Sequence, residues 1–393
     1  MVNSESNVQF GEGGAGTFSD GKLYTGIKDR DGAVRLVLEE LVAHGAPSDI
    51  LYKGKPHIGT DKLIRVIRSI RKEILELGGQ IKFQSRVDDI IIDSGITVGV
   101  RTSIGEEIIS GNIILAVGHS ARDTFEMLHK NRIEMQSKPF SIGARIEHPQ
   151  IMIDRSLYGS AAGHQKLGAA PYKFVQHQKN KKGRTCYSFC MCPGGLVVAA
   201  SSEHGLTVTN GMSSYARADA NANSGFMVEI SPEDFEDSGN PLSGIQFQRQ
   251  WEQKAFQSGD PDGRAPAQLL GDFMQNTASS EIGNVIPSYR PGVIMTDIRE
   301  CLPEYVVKIM QQSVHNISKQ IEGFDRKDAV LTAAETRSSS PLRILRDSSM
   351  QSPSAKGLYP AGEGAGYAGG ILSAAVDGLR AAKALHNNAQ ASL

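Results

Sequence analysis

The spacing of apolar and polar positions changes period several times along the chain. Residues 1–25 show neither helical nor strand spacing and read as a polar, glycine-rich loop. Over 31–44, Val34, Val37, Leu38 and Leu41 recur at helical spacing until Gly45-Ala46-Pro47 stops them. Over 60–77, Leu63, Ile64, Ile67, Ile70, Ile74 and Leu77 make one apolar stripe, with Thr60 as N-cap and Gly78-Gly79 as the stop. That spacing predicts a helix over 60–77. Short Ile/Val-rich runs then predict a strand at 80–85, an antiparallel meander, and a buried strand Ile113–Val117 ending at Gly118. A helix follows at about 120–129.

The middle is less regular. PFSIGARIEH, TCYSFCMC, LVVAASS and GFMVEIS read as strands, 244–258 and 302–321 as helices, and 258–267 as a loop. Near the end, 357–361 reads as a short strand, GEGAGYAGG as a glycine loop and 371–385 as an Ala-rich helix, with 386–393 frayed.

Composition narrows the class. The 393 residues hold 42 Lys+Arg and 43 Asp+Glu, a net charge of −1. That length is two or three domains' worth. The balanced charge argues against nucleic acid as a partner. No run approaches the roughly 18 apolar residues of a membrane span. The start has no basic-then-apolar leader, and four cysteines are too few for a disulfide framework, so a reducing, cytoplasmic setting is expected.

Two stretches spell G-x-G-x-x-G. The first, Gly11 to Gly16, follows no strand and opens no helix, as a pyrophosphate-binding turn must. It is a false positive as a dinucleotide signature. The second, Gly364 to Gly369, lies between a strand and a small-residue helix, where a helix N-terminus can face developing negative charge. A glycine turn packed before a core helix explains that spacing equally well.

LYPAGEGAGYAGGILSAAVDGLRAAKAL resembles the closing motif of FAD-dependent oxidoreductases of the glutathione-reductase-like superfamily. The order of elements over 60–118, ending in IILAVGHSA, is similar to its first domain. The nearest resemblance is to a subgroup of uncharacterised FAD-dependent dehydrogenases, carried by NVQFGEGGAGTFSDGKLYT, KPHIGTDKL, AVGHSARDTFEML, KPFSIGARIEHPQ, YSFCMCPGG, VTNGMS, ETRSSSP and GLYPAGEGAGYAGG. These motifs run in order over almost the whole chain.

The resemblance implies an α/β fold: a Rossmann-like FAD-binding domain from 1–135 and 326–393, with a β-rich substrate domain inserted at 136–325. In that subgroup GEGGAGTFSDGKL follows an N-terminal βαβ unit carrying the true fingerprint, so the FAD domain here is expected to be incomplete at its start. It also implies cofactor contacts. Val87 stands where the backbone meets adenine, and Gly118 where it passes the cofactor. Gly362 and Glu363 face the ribityl and pyrophosphate region. Glu363 replaces the superfamily's commoner Asp. Gly369, Gly370 and Ile371 open the last helix toward the flavin's pyrimidine edge. Gly13, Gly14, Ala15, Gly16 and Thr17 wrap the pyrophosphate or the other flavin face, and Lys22 is a candidate to reach the ring. The implied activity is hydride transfer to or from a small molecule, with FAD as cofactor. No catalytic acid or base stands out. A cofactor-free binding remnant and an RNA-associated flavoprotein are the alternatives, the second opposed by the balanced charge.

Other residues have two readings each. Cys186, Cys190 and Cys192 form C-x3-C-x-C, with no clustered fourth ligand for a metal. Buried or pocket-lining thiols are expected, with Cys190 and Cys192 on one strand face, and redox chemistry is the alternative. His119 is a hydrogen-bonded histidine at a helix start or a proton donor beside the flavin. His57 and His148 are weaker candidates. Glu335, Thr336 and Arg337 make an anion-binding corner or a structural ion pair. The 179–184 basic cluster is expected to be a solvated hairpin tip.

Overall fold

The computed structural model describes residues 2–29, 31–178 and 183–390. A short 3-10 turn at Ala15–Phe18 precedes helix α1 (Ala33–Ala43) and helix α2 (Thr60–Glu76). Strands β1 (Val87–Asp93), β2 (Ile96–Thr102), β3 (Glu107–Ile109) and β4 (Ile113–Leu115) follow, then α3 (Arg122–Lys130). The central part holds β5 (Met135–Ser137), β6 (Phe140–Pro149), α4 (Gln150–Tyr158), β7 (Val175–His177), β8 (Thr185–Cys192), β9 (Leu196–Ala199), β10 (Thr209–Met212) and β11 (Asn221–Ile230). It continues through α5 (Ser243–Ser258), β12 (Ala265–Leu269), α6 (Leu270–Gln275), β13 (Val293–Met295), α7 (Glu304–Ser318) and β14 (Val330–Glu335). β15 (Leu342–Ile344), β16 (Leu358–Pro360) and α8 (Ile371–Gln390) close the chain. The fold is mixed α/β.

Seven strands form the main sheet in the order β13-β12-β14-β6-β11-β8-β7, antiparallel except for β12 with β13. Strict alternation explains its two faces. On β6, Phe140, Ile142, Ala144 and Ile146 pack into the main core with Phe226 and Val228 of β11 and Val306, Met310 and Val314 of α7. The intervening Ser141, Arg145 and Glu147 are also buried, so the opposite face is polar and closed. Phe226 meets Phe174 and Phe324 edge-on, with ring centroids 5.7 and 5.9 Å apart.

The flanking part is thinner. β1, β2 and β3 make the expected meander, and β4 pairs in parallel with β16. Phe125 and Leu128 of α3, Leu115, Leu342 and Leu358 form its core. A second cluster joins Leu23, Leu41, Ile50, Ile58, Leu63 and Val66.

Several expectations need correction. No strand forms at 80–85: Phe83 is 59% exposed and no neighbouring strand pairs there. β4 stops at Leu115, and of its three residues only Leu115 is buried. The α2 stripe is only partly covered, since Leu63 and Val66 are buried whereas Ile64, Ile74 and Leu77 are exposed. Gly59 caps α2, and Thr60, inside the helix, donates from Oγ1 to the Thr17 carbonyl at 2.6 Å. The 258–267 loop gives way to β12 from Ala265. α8 continues to Gln390, and residues 391–393 lie outside the described ones. Of the 179–184 cluster, 179–182 lie outside the described residues, and Arg184 is buried against Asp234 and the Glu229 carbonyl.

Candidate functional site

The loop from Gly362 to Gly370 is held from below by an ion pair. Asp377 of α8 accepts the Gly362 N–H at 2.7 Å and pairs with both terminal nitrogens of Arg346 at 2.7 and 2.9 Å. Arg346 in turn lies 3.7 Å over the Tyr367 ring. Asp377 and Arg346 were not singled out from the sequence. VDGL inside an Ala-rich helix shows only one acidic residue where a buried position is due.

Gly118 and the Gly362 end of the loop meet. A Cβ on Gly364 would lie 2.5 Å from the Gly118 carbonyl oxygen, and one on Gly366 2.7 Å from that of Leu342. Two glycines of the second G-x-G-x-x-G are therefore explained by packing. Gly118, Gly362, Gly369 and Gly370 differ: a Cβ at any of them meets nothing within 4 Å. Their backbones border open space. His119 packs beside this turn, its Nδ1 3.1 Å from Glu363 Oε1. Its buried Nε2 has no partner among the described residues.

The N-terminal glycine turn reaches the other end of the same loop. Gly13 and Gly14 take φ of 82° and 57°, a region that favours glycine. A Cβ on Gly16 would come within 3.0 Å of the Ile371 side chain. Ala15 and Thr17 lie in the 3-10 turn, and the buried Thr17 hydroxyl has no hydrogen-bond partner. The turn follows no strand and opens no α-helix, as its sequence context indicated. Gly369 and Gly370 lead into the 20-residue α8, whose first-turn N–H groups point out of its N-terminus.

Two candidates lie elsewhere. Val87 is the first residue of β1 and lines an open cavity of about 1320 Å³ with Ile67, Ile70, Ile74, Phe83 and Ile114. None of the other candidate cofactor residues lines that cavity. Lys22 turns to the central sheet: its Nζ donates to the Met191 carbonyl and lies 3.2 Å from Asp20.

Arg337 and Thr336 form a structural tie rather than an anion corner. Arg337 Nη2 lies 3.1 Å from Glu252 Oε2, and the Thr336 hydroxyl donates to Glu252 Oε1 at 2.6 Å. Arg122 binds the same carboxylate at 2.7 and 2.9 Å. Burial opposes the charge on Glu252, but Arg122 and Arg337 hold its carboxyl well below the usual range. Glu335 turns the other way and receives Arg145 Nη2 at 2.6 Å. Burial outweighs that pairing and pushes Glu335 up to about 7. His148 is buried, with Nε2 2.9 Å from the Phe324 carbonyl, and burial lowers it to about 4. His57 Nε2 lies 3.1 Å from the Tyr215 carbonyl, and burial lowers it too.

Residues 139–338 match the family model described as FAD-dependent protein, C-terminal domain-like. An uncharacterized protein of Clostridium beijerinckii is 50% identical over 382 residues, spanning 97% of this chain and 71% of that relative. The chain belongs to this family of FAD-dependent proteins. Solved structures with a similar trace include an oxidoreductase from Methanosarcina mazei, at 11% identity and a TM-score of 0.33, covering 88% of this chain and 58% of that one. Amadoriase I of Aspergillus fumigatus gives 12% and 0.35, covering 85% and 53%. An E. coli quinol fumarate reductase chain gives 11% and 0.37, covering 91% and 56%. The chain spans little more than half the length of these three structures, and scores this low leave the assignment on the sequence matches. No helix among the described residues is long and apolar enough to cross a membrane.

Proposed function

We propose that this chain is the FAD-holding part of an oxidoreductase that moves a hydride to or from a small molecule. The observation that supports it is the open backbone around one loop. A Cβ at Gly118, Gly362, Gly369 or Gly370 would meet nothing within 4 Å, while Asp377 and Ser373 hold the Gly362 and Gly369 N–H groups, and the buried Thr17 hydroxyl and His119 Nε2 have no partner among the described residues. Those residues fit a ligand that is long, polar and anionic at its middle. Bound FAD supplies the hydride chemistry. The protein's share is position and charge. The first turn of α8 favours negative charge where Gly369–Ile371 begin it. Glu363 fixes the His119 ring through Nδ1, leaving Nε2 as the atom that can hold or pass a proton. Asp377 and Arg346 keep the Gly362 turn from collapsing into the gap. The proposed division of labour keeps a FAD-holding part at 1–135 and 326–393 and a substrate-defining part at 136–325.

Retention of FAD through desalting, read as visible flavin absorbance of the purified chain, tests this reading. A retained spectrum supports it, and reductant or substrate candidates that bleach the spectrum then identify the chemistry. A colourless chain that stays colourless after incubation with FAD contradicts it.

A further inference from the structure

The charged cluster at the end of β8 is not used by the flavin reading. β8 runs opposite β11 in regular register to Phe189, which faces Gly225, yet Cys192 faces Asn223. One extra residue is inserted, so the strand bulges at Cys190–Met191. Bulges re-aim side chains and are common beside active sites. Cys190 takes a φ of 43°, which is uncommon for a residue with a side chain. The turned carbonyl of Cys190 accepts Arg145 Nη1 at 2.8 Å and the Cys192 thiol at 3.2 Å. Lys22 holds the next carbonyl, that of Met191. The bulge replaces the expected strand alternation, and it folds the Cys192 thiol back onto the Cys190 main chain.

Lys22, Arg145 and Arg217 are three cations; of the two carboxylates, Asp20 is bound to both Lys22 and Arg217, and Glu335 to Arg145. Neighbouring His57 is kept neutral by burial, and Tyr24 is raised for the same reason. With both thiols protonated the group carries an excess positive charge, which a single thiolate cancels. Cys190 is half-buried, whereas Cys186, Cys192 and Cys301 are buried. The hydrogen bond from Cys192, then Lys22 and Arg145, favours the Cys190 thiolate against burial and Asp20.

We propose that Cys190 and Cys192 are a dithiol–disulfide couple that exchanges with a small disulfide, Cys190 attacking and Cys192 resolving. The Cys190 thiolate forms a bond to one sulfur of the disulfide and expels the other as a thiolate. Cys192 loses its proton to that leaving thiolate and attacks Cys190 Sγ, expelling the second thiolate. The small disulfide is reduced to one thiol and one thiolate, which takes its proton from water, and the two cysteines are oxidised to one disulfide. The exchange needs no flavin, so it stands or falls apart from the proposed function.

The test uses the folded full chain with mapped mass spectrometry. Iodoacetamide at about pH 6 is expected to label Cys190 roughly tenfold faster than Cys186 and Cys301. Glutathione disulfide is expected to leave wild type with a Cys190–Cys192 cross-link. Cys192→Ser should stop at a mixed disulfide on Cys190, and Cys190→Ser should form neither product. Lys22→Met should slow labelling at about pH 6 more than at about pH 9, because it removes the cation that favours the thiolate. Labelling of Cys190 no faster than that of Cys186 and Cys301 in wild type overturns the proposal. So does a wild type that accumulates the same mixed disulfide as Cys192→Ser.

Discussion

The central sheet and the flanking α/β part are built to different standards. In the centre, β6 and β11 are buried on both faces, one closed by apolar packing and the other by ion pairs. In the flanking part, β4 has β16 on one side and, among the described residues, no strand on the other, Ile114 is 38% exposed, and a cavity of about 1320 Å³ opens beside it. The contrast separates two duties. Stability resides in the β-rich centre, whereas the flanking loops trade packing for backbone that faces open space. Glu252 links the two parts, since Arg122 of α3 and Arg337 after β14 share its carboxylate.

The largest effect should follow from breaking the centre's buried charge pair. Arg145→Met leaves Glu335 buried without its partner and is expected to cost about 3–5 kcal/mol in urea unfolding. Adding Glu335→Met should recover much of that loss, because the buried carboxyl left without its partner is then gone. Phe226→Ala should cost about 3–5 kcal/mol, since the buried ring packs edge-on against Phe174 and Phe324 and its loss leaves a cavity. Ile114→Ala in the flanking part should cost under about 1 kcal/mol. Equal losses at the two sites would erase the comparison.

Acid should act on the centre through His148. Its folded value lies near 4, below the ordinary 6.5, because the buried ring resists charging. Between those values the unfolded chain binds the extra proton, so the His148 contribution to stability falls as pH drops from 6.5 toward 4, whereas Glu335, pushed up to about 7, contributes in the opposite sense over the upper part of that range. The His148 share is about 3 kcal/mol, read as the difference between the pH–stability curves of wild type and His148→Gln. Glu252 adds a further loss at lower pH: its depressed carboxyl contributes stability that disappears as the pH falls through its folded value.

A smaller effect is expected in the flanking part, and on binding rather than folding. Asp377→Asn keeps the size of the side chain while removing the charge that holds Arg346 below the Gly362 turn. FAD affinity is expected to fall roughly tenfold, about 1.4 kcal/mol, as measured by fluorescence titration.

Much of this was legible in the sequence, and the reasons for the rest are specific. The alternation in FSIGARIEH marked β6, and the stripe from Leu63 to Leu77 marked α2, because one period dominated each. β12 and β14 were missed: APAQL and VLTAAE are short, small-residue strands whose burial on both sides leaves no alternation to read. QIKFQS alternates like a strand but has no partner beside it, and pairing decides strands. At the site, open backbone at Gly362, Gly369 and Gly370 sits where the glycine loop pointed. Gly364 and Gly366 are packing glycines, a distinction only the fold makes. The Asp377–Arg346 lock spans 31 residues and left no local motif.

The most direct test of the central claim compares FAD binding by the wild-type chain and by Gly369→Val/Gly370→Val. A Cβ at either position meets nothing within 4 Å, so the added side chains project toward the space proposed for the ligand. Fluorescence titration should show saturable FAD binding to wild type and roughly tenfold weaker binding to the variant, with unfolding in urea shifted by under about 1 kcal/mol. Binding of equal strength by both proteins, or no saturable binding by the wild type, would contradict the account.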